Sequence, residues 1–124
     1  IENGLVLSCH DISEGGLACA LAEMIVGGWG HGMCGAEINL ECQAGLSLEE
    51  LLFAECGPFI VEVKPDVADK LSSICSRYGV DFSILGRTIE TCRLVINYKG
   101  CEIINLDGDR MRTAWMDSLG GAIN

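Results

Sequence analysis

Apolar residues along this chain fall into short runs whose spacing switches between two and nearly four, and that switching lays out the elements. Residues 5–9, LVLSC, form an apolar run of the length of a buried strand. Ser13 stands where a helix cap would, and Leu17, Leu21, Met24 and Ile25 then recur at i, i+4, i+7 and i+8, one face of a helix. Gly27 and Gly28 end it, and the stretch GGWGHGMCG reads as a loop. Residues 36–42 alternate around Ile38 and Leu40 as a second strand. Ser47 with Glu50 three residues later is a capping box opening a short helix to about Ala54, and Pro58 bars helical geometry just beyond. FIVEV, residues 59–63, is the clearest strand of the chain. Pro65 suits the first position of a helix with Val67, Leu71, Ile74, Cys75 and Tyr78 on one stripe and Gly79 past its end. Residues 82–86, 92–98 and 101–106 follow as strands, the last two joined by a tight hairpin at Lys99 and Gly100. Asp107 is placed to cap a final helix that carries Met111, Ala114 and Trp115 inward.

This order predicts an α+β fold, a mostly antiparallel sheet with helices packed on it and a partly ferredoxin-like, split β-α-β character. A length of 124 residues predicts a single domain over residues 1–124, and a chain opening at Ile1 predicts a fragment of something longer. No apolar run approaches the ~18 residues of a membrane span and no signal-peptide pattern precedes the first strand, so a soluble, cytoplasmic domain is expected.

Charge changes the picture. Residues 1–63 hold ten Asp and Glu and no Lys or Arg, whereas residues 64–124 hold eight acids and eight bases, so the net charge of −10 resides in the first half. Such a surface repels a phosphate backbone, which excludes nucleic acid as an expected partner. A phosphate near residues 8–24 needs backbone N–H groups, a metal ion or another chain segment to meet its charge. The eight cysteines lie 8 to 19 residues apart with no C-x-x-C, mostly in apolar stretches, which predicts reduced and mostly buried thiols. The alternative is a zinc site begun by His31 and Cys34, for which no second pair of ligands is evident.

The candidate chemistry centres on SCHDISEGGL. Asp11, Ser13, Gly15 and Gly16 sit at the start of a helix, where glycine lets a ligand approach and free N–H groups favour an anion. With no cation nearby, Asp11 makes sense as a magnesium ligand that brings phosphate in through the metal. The competing reading is structural: Asp11 and Ser13 simply cap the helix. His10 is either a general base, for which no partner is evident, or a histidine fixed by hydrogen bonding at a strand end. Glu55, between a helix and a strand, is placed where its carboxylate can point back at that first turn. Trp29 and His31 in the glycine loop either touch a partner or fold the loop onto the core.

The ordered segments HDISEGGLACALAEM, LSLEELLFAECGPFIVEV, DFSILGRT and DRMRTAWMDSL together resemble the C-terminal domain of the aminoimidazole ribonucleotide synthetase-like superfamily, from Leu5 to about Leu119. The form most similar is the last such domain of the phosphoribosylformylglycinamidine synthase family. The resemblance implies a part in an ATP-dependent carbon–nitrogen ligase of de novo purine synthesis. Such enzymes phosphorylate the amide oxygen of formylglycinamide ribonucleotide with ATP, after which ammonia from glutamine displaces phosphate. It implies ATP and Mg2+ as cofactors of the full enzyme, with Asp11 as a metal ligand and Asp11, Ser13, Gly15, Gly16 and Glu55 near nucleotide or substrate. It further implies the N-terminal ATP-binding domains of the same enzyme and a glutaminase domain or subunit as partners, an exposed interdomain face that drives self-association, and an isolated domain without activity. Cys56 and Gly57 depart from the Ser-Gln that follows this Glu in the first such domain of the family. Two alternatives remain: a module of another ATP-using superfamily member, such as aminoimidazole ribonucleotide synthetase or a hydrogenase-maturation or thiamine-phosphate kinase relative, and a non-catalytic binding or assembly domain.

Overall fold

The computed structural model describes residues 3–28, 34–41 and 45–121, and its strands divide between two sheets. Ser8–Asp11 (β1) and Phe59–Glu62 (β3) pair antiparallel, with Ser8 opposite Glu62 and Asp11 opposite Phe59. The larger sheet sets Gly86–Ile89 (β4), Gly35–Leu40 (β2), Arg93–Tyr98 (β5) and Cys101–Asp107 (β6) side by side in that order. Its outer pairs are antiparallel, and β2 and β5 run parallel in the middle. A parallel pair requires a long crossover. Here it consists of helix Leu48–Phe53 (α2), β3, a 3₁₀ turn at Pro65–Val67, helix Ala68–Arg77 (α3) and β4.

Alternation along the strands sorts the two faces of the larger sheet. Ala36, Ile38 and Leu40 of β2 and Leu94 and Ile96 of β5 point into the core, where they meet Leu17, Leu21 and Ile25 of helix Gly16–Gly27 (α1), Leu52 of α2 and Met111 of helix Gly108–Gly121 (α4). The opposite face is polar: Arg87 pairs with Glu37 at 2.8 Å, Asn97 donates to Asn39 at 3.1 Å, and Arg93 donates to Asn105 at 2.6 Å. One buried face and one solvated face is the usual condition of a largely antiparallel sheet. Lys99 and Gly100 close the β5–β6 hairpin with φ of 49° and 77°, the left-handed pair that matches strand twist. No helix among the described residues is long and apolar enough to cross a membrane.

Several expectations are corrected. The first strand is Ser8–Asp11 rather than residues 5–9, because its ladder to β3 is in register there, which places His10 and Asp11 inside the strand. The strand expected at 82–86 lies at Gly86–Ile89, where the missing side chain of Gly86 lets it close on the carbonyl of Glu37. Ser13 does not cap α1: the cap residue is Gly15, with no side-chain hydrogen bond. Met111 is buried, but Ala114 and Trp115 are exposed, so among the described side chains of the last helix the core contact is made in its first turn. On α3 the apolar stripe is only half-buried and Tyr78 is 75% exposed, because α1 already occupies the inner face of the sheet and no residue of α3 joins the core. The cysteines are not mostly buried. Cys9, Cys19, Cys34, Cys56 and Cys101 are exposed and Cys75 and Cys92 half-buried; Cys34, Cys56 and Cys92 lie in connections between elements. His31 and Trp29 lie outside the described residues, and so does the zinc pair's first ligand, whereas Cys34 is described.

Candidate functional site

The turn between β1 and α1 is built by two glycines. Gly15 and Gly16 adopt φ of 75° and 67°, a left-handed backbone that disfavours any other residue. Their amides are both engaged inside the chain: Gly16 donates to the carbonyl of Ser13 at 3.0 Å, and Gly15 donates to Glu55 Oε1 at 3.3 Å. Glu55 reaches the turn because the capping box at Ser47 holds α2 in place, with Ser47 N to Glu50 Oε2 at 2.7 Å and Glu50 N to Ser47 Oγ at 3.2 Å. The end of α2 then packs directly on Gly16. The segment after Glu55 also hugs the turn, since a Cβ on Gly57 would stand 2.8 Å from Ile12. Asp11, Gly15, Gly16 and Glu55 therefore gather at one corner although Glu55 is 40 residues from Gly15. Ser13 joins them through its carbonyl rather than its hydroxyl.

The corner is acidic. Asp11 has its side chain 63% exposed, and Glu14 and Glu55, which flank or meet Gly15, are exposed as well. With a carboxylate already on the Gly15 amide, the two glycine N–H groups are not an open anion cradle. Exposed Phe59, opposite Asp11, and exposed Phe53, at the end of α2, flank the corner with apolar surface. No group of three His, Cys, Asp or Glu side chains able to hold a metal exists among the described residues.

His10 sits differently from the expected general base. Its Nδ1 lies 2.6 Å from the carbonyl of Asp11 and its Nε2 lies 2.9 Å from Glu23 Oε2 on α1. With both ring nitrogens engaged, the imidazole ties β1 to α1 rather than facing a ligand. Glu23 was not legible as its partner, because only the packing of α1 on β1 brings them together. His10 and Glu23 line a cleft of about 370 Å³ with Val26, Gly27 and Trp115.

Comparison with known proteins bears on this arrangement. The sequence model of the AIR synthase related protein C-terminal domain matches residues 1–99. The chain belongs to this family of synthase C-terminal domains. Among curated relatives, the phosphoribosylformylglycinamidine synthase subunit PurL of Deinococcus radiodurans is 30% identical over 124 residues, which is 99% of this chain and 16% of the relative. PurL of Thermococcus sibiricus is 35% identical over 111 residues, 86% of this chain and 14% of the relative. Two solved structures of Thermotoga maritima PurL, one complexed with ATP and one with FGAR, share the fold at a TM-score of 0.75 and 20% identity, covering 90% of this chain and 19% of theirs. The resemblance to the C-terminal domain of phosphoribosylformylglycinamidine synthase thus holds, and the chain spans about one sixth of the length of its curated relatives.

Proposed function

We propose that this chain is the C-terminal module of a phosphoribosylformylglycinamidine synthase, an ATP- and glutamine-dependent ligase of purine synthesis in the cytoplasm, and that the corner at Asp11 forms one wall of a pocket shared with another domain. The observation that carries the reading is the Gly15–Glu55 hydrogen bond, which joins the two most distinctive sequence segments into one surface. That surface offers nucleotide no positive charge of its own, as residues 1–63 contain no Lys or Arg. The cations come from the N-terminal ATP-binding domain of the same enzyme, and ammonia comes from a glutaminase domain or subunit. Asp11 fits one ligand position of Mg2+, an ion held by one or two carboxylates together with water and phosphate oxygens. When bound, the ion would screen phosphate charge against the acidic corner. Glu55 holds the turn in shape, and exposed Phe53 and Phe59 supply the apolar part of the interdomain face.

By itself the 124-residue chain, residues 1–124 of one domain, is inactive. Titration calorimetry of this chain with ATP, with and without Mg2+, tests the shared-wall reading: the expected result is no measurable affinity. Micromolar or tighter ATP binding without magnesium overturns it. In the complete enzyme, Asp11→Asn is expected to raise the Mg2+ concentration for half-maximal amidine formation by about tenfold, in keeping with one lost charged ligand. An unchanged magnesium dependence removes Asp11 from the metal.

A further inference from the structure

The connection from β4 to β5 brings two thiols together. Because β4 and β5 flank β2, residues Glu90, Thr91 and Cys92 must cross the start of β2. They cross in contact with it, since a Cβ on Gly35 would collide with the carbonyl oxygens of Thr91 and Arg93. The parallel register sets Ala36 opposite Leu94, and Cys34 and Cys92 stand two residues before that pair at the same end of the sheet, where Cys34 acts electrostatically on Cys92. Cys92 packs against the core beside Leu94, and Cys34, next to Gly35, is exposed at the mouth of the same crossing. Neighbouring strands lie about 4.8 Å apart, inside the roughly 4.4–6.8 Å Cα separation that a disulfide spans.

We propose that Cys34 and Cys92 are a dithiol–disulfide pair, closed by exchange with a small disulfide such as oxidised glutathione. The exposed Cys34 thiolate, its proton released to water, attacks one sulfur of the small disulfide, forming a mixed disulfide and expelling a small thiolate. Cys92 then loses its proton and attacks the Cys34 sulfur, forming the Cys34–Cys92 bond and expelling the second small thiolate. Two protein thiols are oxidised, one small disulfide is reduced, and the two expelled thiolates take up the two protons. The order of roles follows from exposure. Cys92 is half-buried against Gly108, where burial, then Asp109, Cys34 and Asp107, hold its thiol above the ordinary value, so it is the slower nucleophile and the resolving thiol. Metal coordination is not offered by this pair, because no third ligand completes a set among the described residues.

The test is native incubation of the chain with excess oxidised glutathione, followed by alkylation, digestion and mass mapping. The expected result is a Cys34–Cys92 cross-linked peptide pair with no glutathione retained at either residue. Cys92→Ser is expected to trap glutathione on Cys34, and Cys34→Ser to leave Cys92 unmodified. Glutathione retained on Cys34 in the unsubstituted chain, a cross-link from Cys34 to any other cysteine, or two unmodified thiols would each overturn the proposal. The unsubstituted chain alone decides the matter, whatever the variants do to folding.

Discussion

Gly16 lies against the end of α2: a Cβ on Gly16 would stand 2.6 Å from the Leu52 carbonyl oxygen and from the Cα and carbonyl carbon of Phe53. The obstacle is backbone rather than a flexible side chain, and Gly16 also has a φ of 67°. Gly16→Ala is therefore expected to lose about 2–5 kcal/mol of stability, left-handed strain and overpacking combined. Gly79→Ala is the control, with the same φ of 67° and nothing within 4 Å, and is expected to cost only about 1 kcal/mol. Urea denaturation of the two variants measures the difference, which disappears if α2 does not press on the turn.

The helix caps give a second expectation. Ser47 makes both halves of a capping box, and the Asp107 carboxylate accepts from Arg110 N at 2.9 Å, whereas the Ser13 hydroxyl caps nothing. Ser47→Ala and Asp107→Ala should each cost about 0.5–2 kcal/mol, and Ser13→Ala less than about 0.5 kcal/mol. A large loss at Ser13 in thermal melts would contradict the observed cap.

Ile96 is 0% exposed on β5, between Ile38 of β2 and Ile104 of β6. Truncation there removes contacts on both sides, and the neighbouring strands cannot collapse into the gap without breaking the ladder. Ile96→Ala is expected to cost about 2–5 kcal/mol in denaturant titration. Ile84→Ala, at a residue 71% exposed, is expected to cost little.

The Cys92 thiol is raised above its ordinary value of 9.0, first by burial and then by Asp109, Cys34 and Asp107. A group with a raised folded-state pKa keeps its proton more firmly in the native chain. Its contribution is fully present below the ordinary value and is lost as pH rises from there through the folded-state value. Stability is thus expected to decline above about pH 9, and Cys92→Ala to flatten that decline. Unfolding free energies from about pH 8 to about pH 10 in both chains test this. Equal slopes would remove Cys92 as the cause.

Much of this molecule was legible in local spacing. The order of strands and helices, the capping box at Ser47, the Lys99–Gly100 hairpin and the Asp107 cap all rest on residues a few positions apart, where propensity and turn chemistry act. The resemblance located the corner at Asp11, and the position of Glu55 between α2 and β3 pointed its carboxylate at the turn, where it meets Gly15 N. The His10–Glu23 contact and the Gly16–Phe53 contact were not legible, because neither pair shares an element and no periodicity links them.

The sequence by itself determined which segments are strands and which are helices, that the first half carries no cation, and that acids and glycines crowd one turn. Only the tertiary structure decided which face each strand buries, that β2 and β5 run parallel, and that five described cysteines meet solvent. The division has one cause. Backbone preference and side-chain periodicity act within a few residues, whereas the parallel pairing of β2 with β5 and the crossing at Gly35 arise from contacts between residues more than fifty positions apart, whose energies exist only once the sheet has closed.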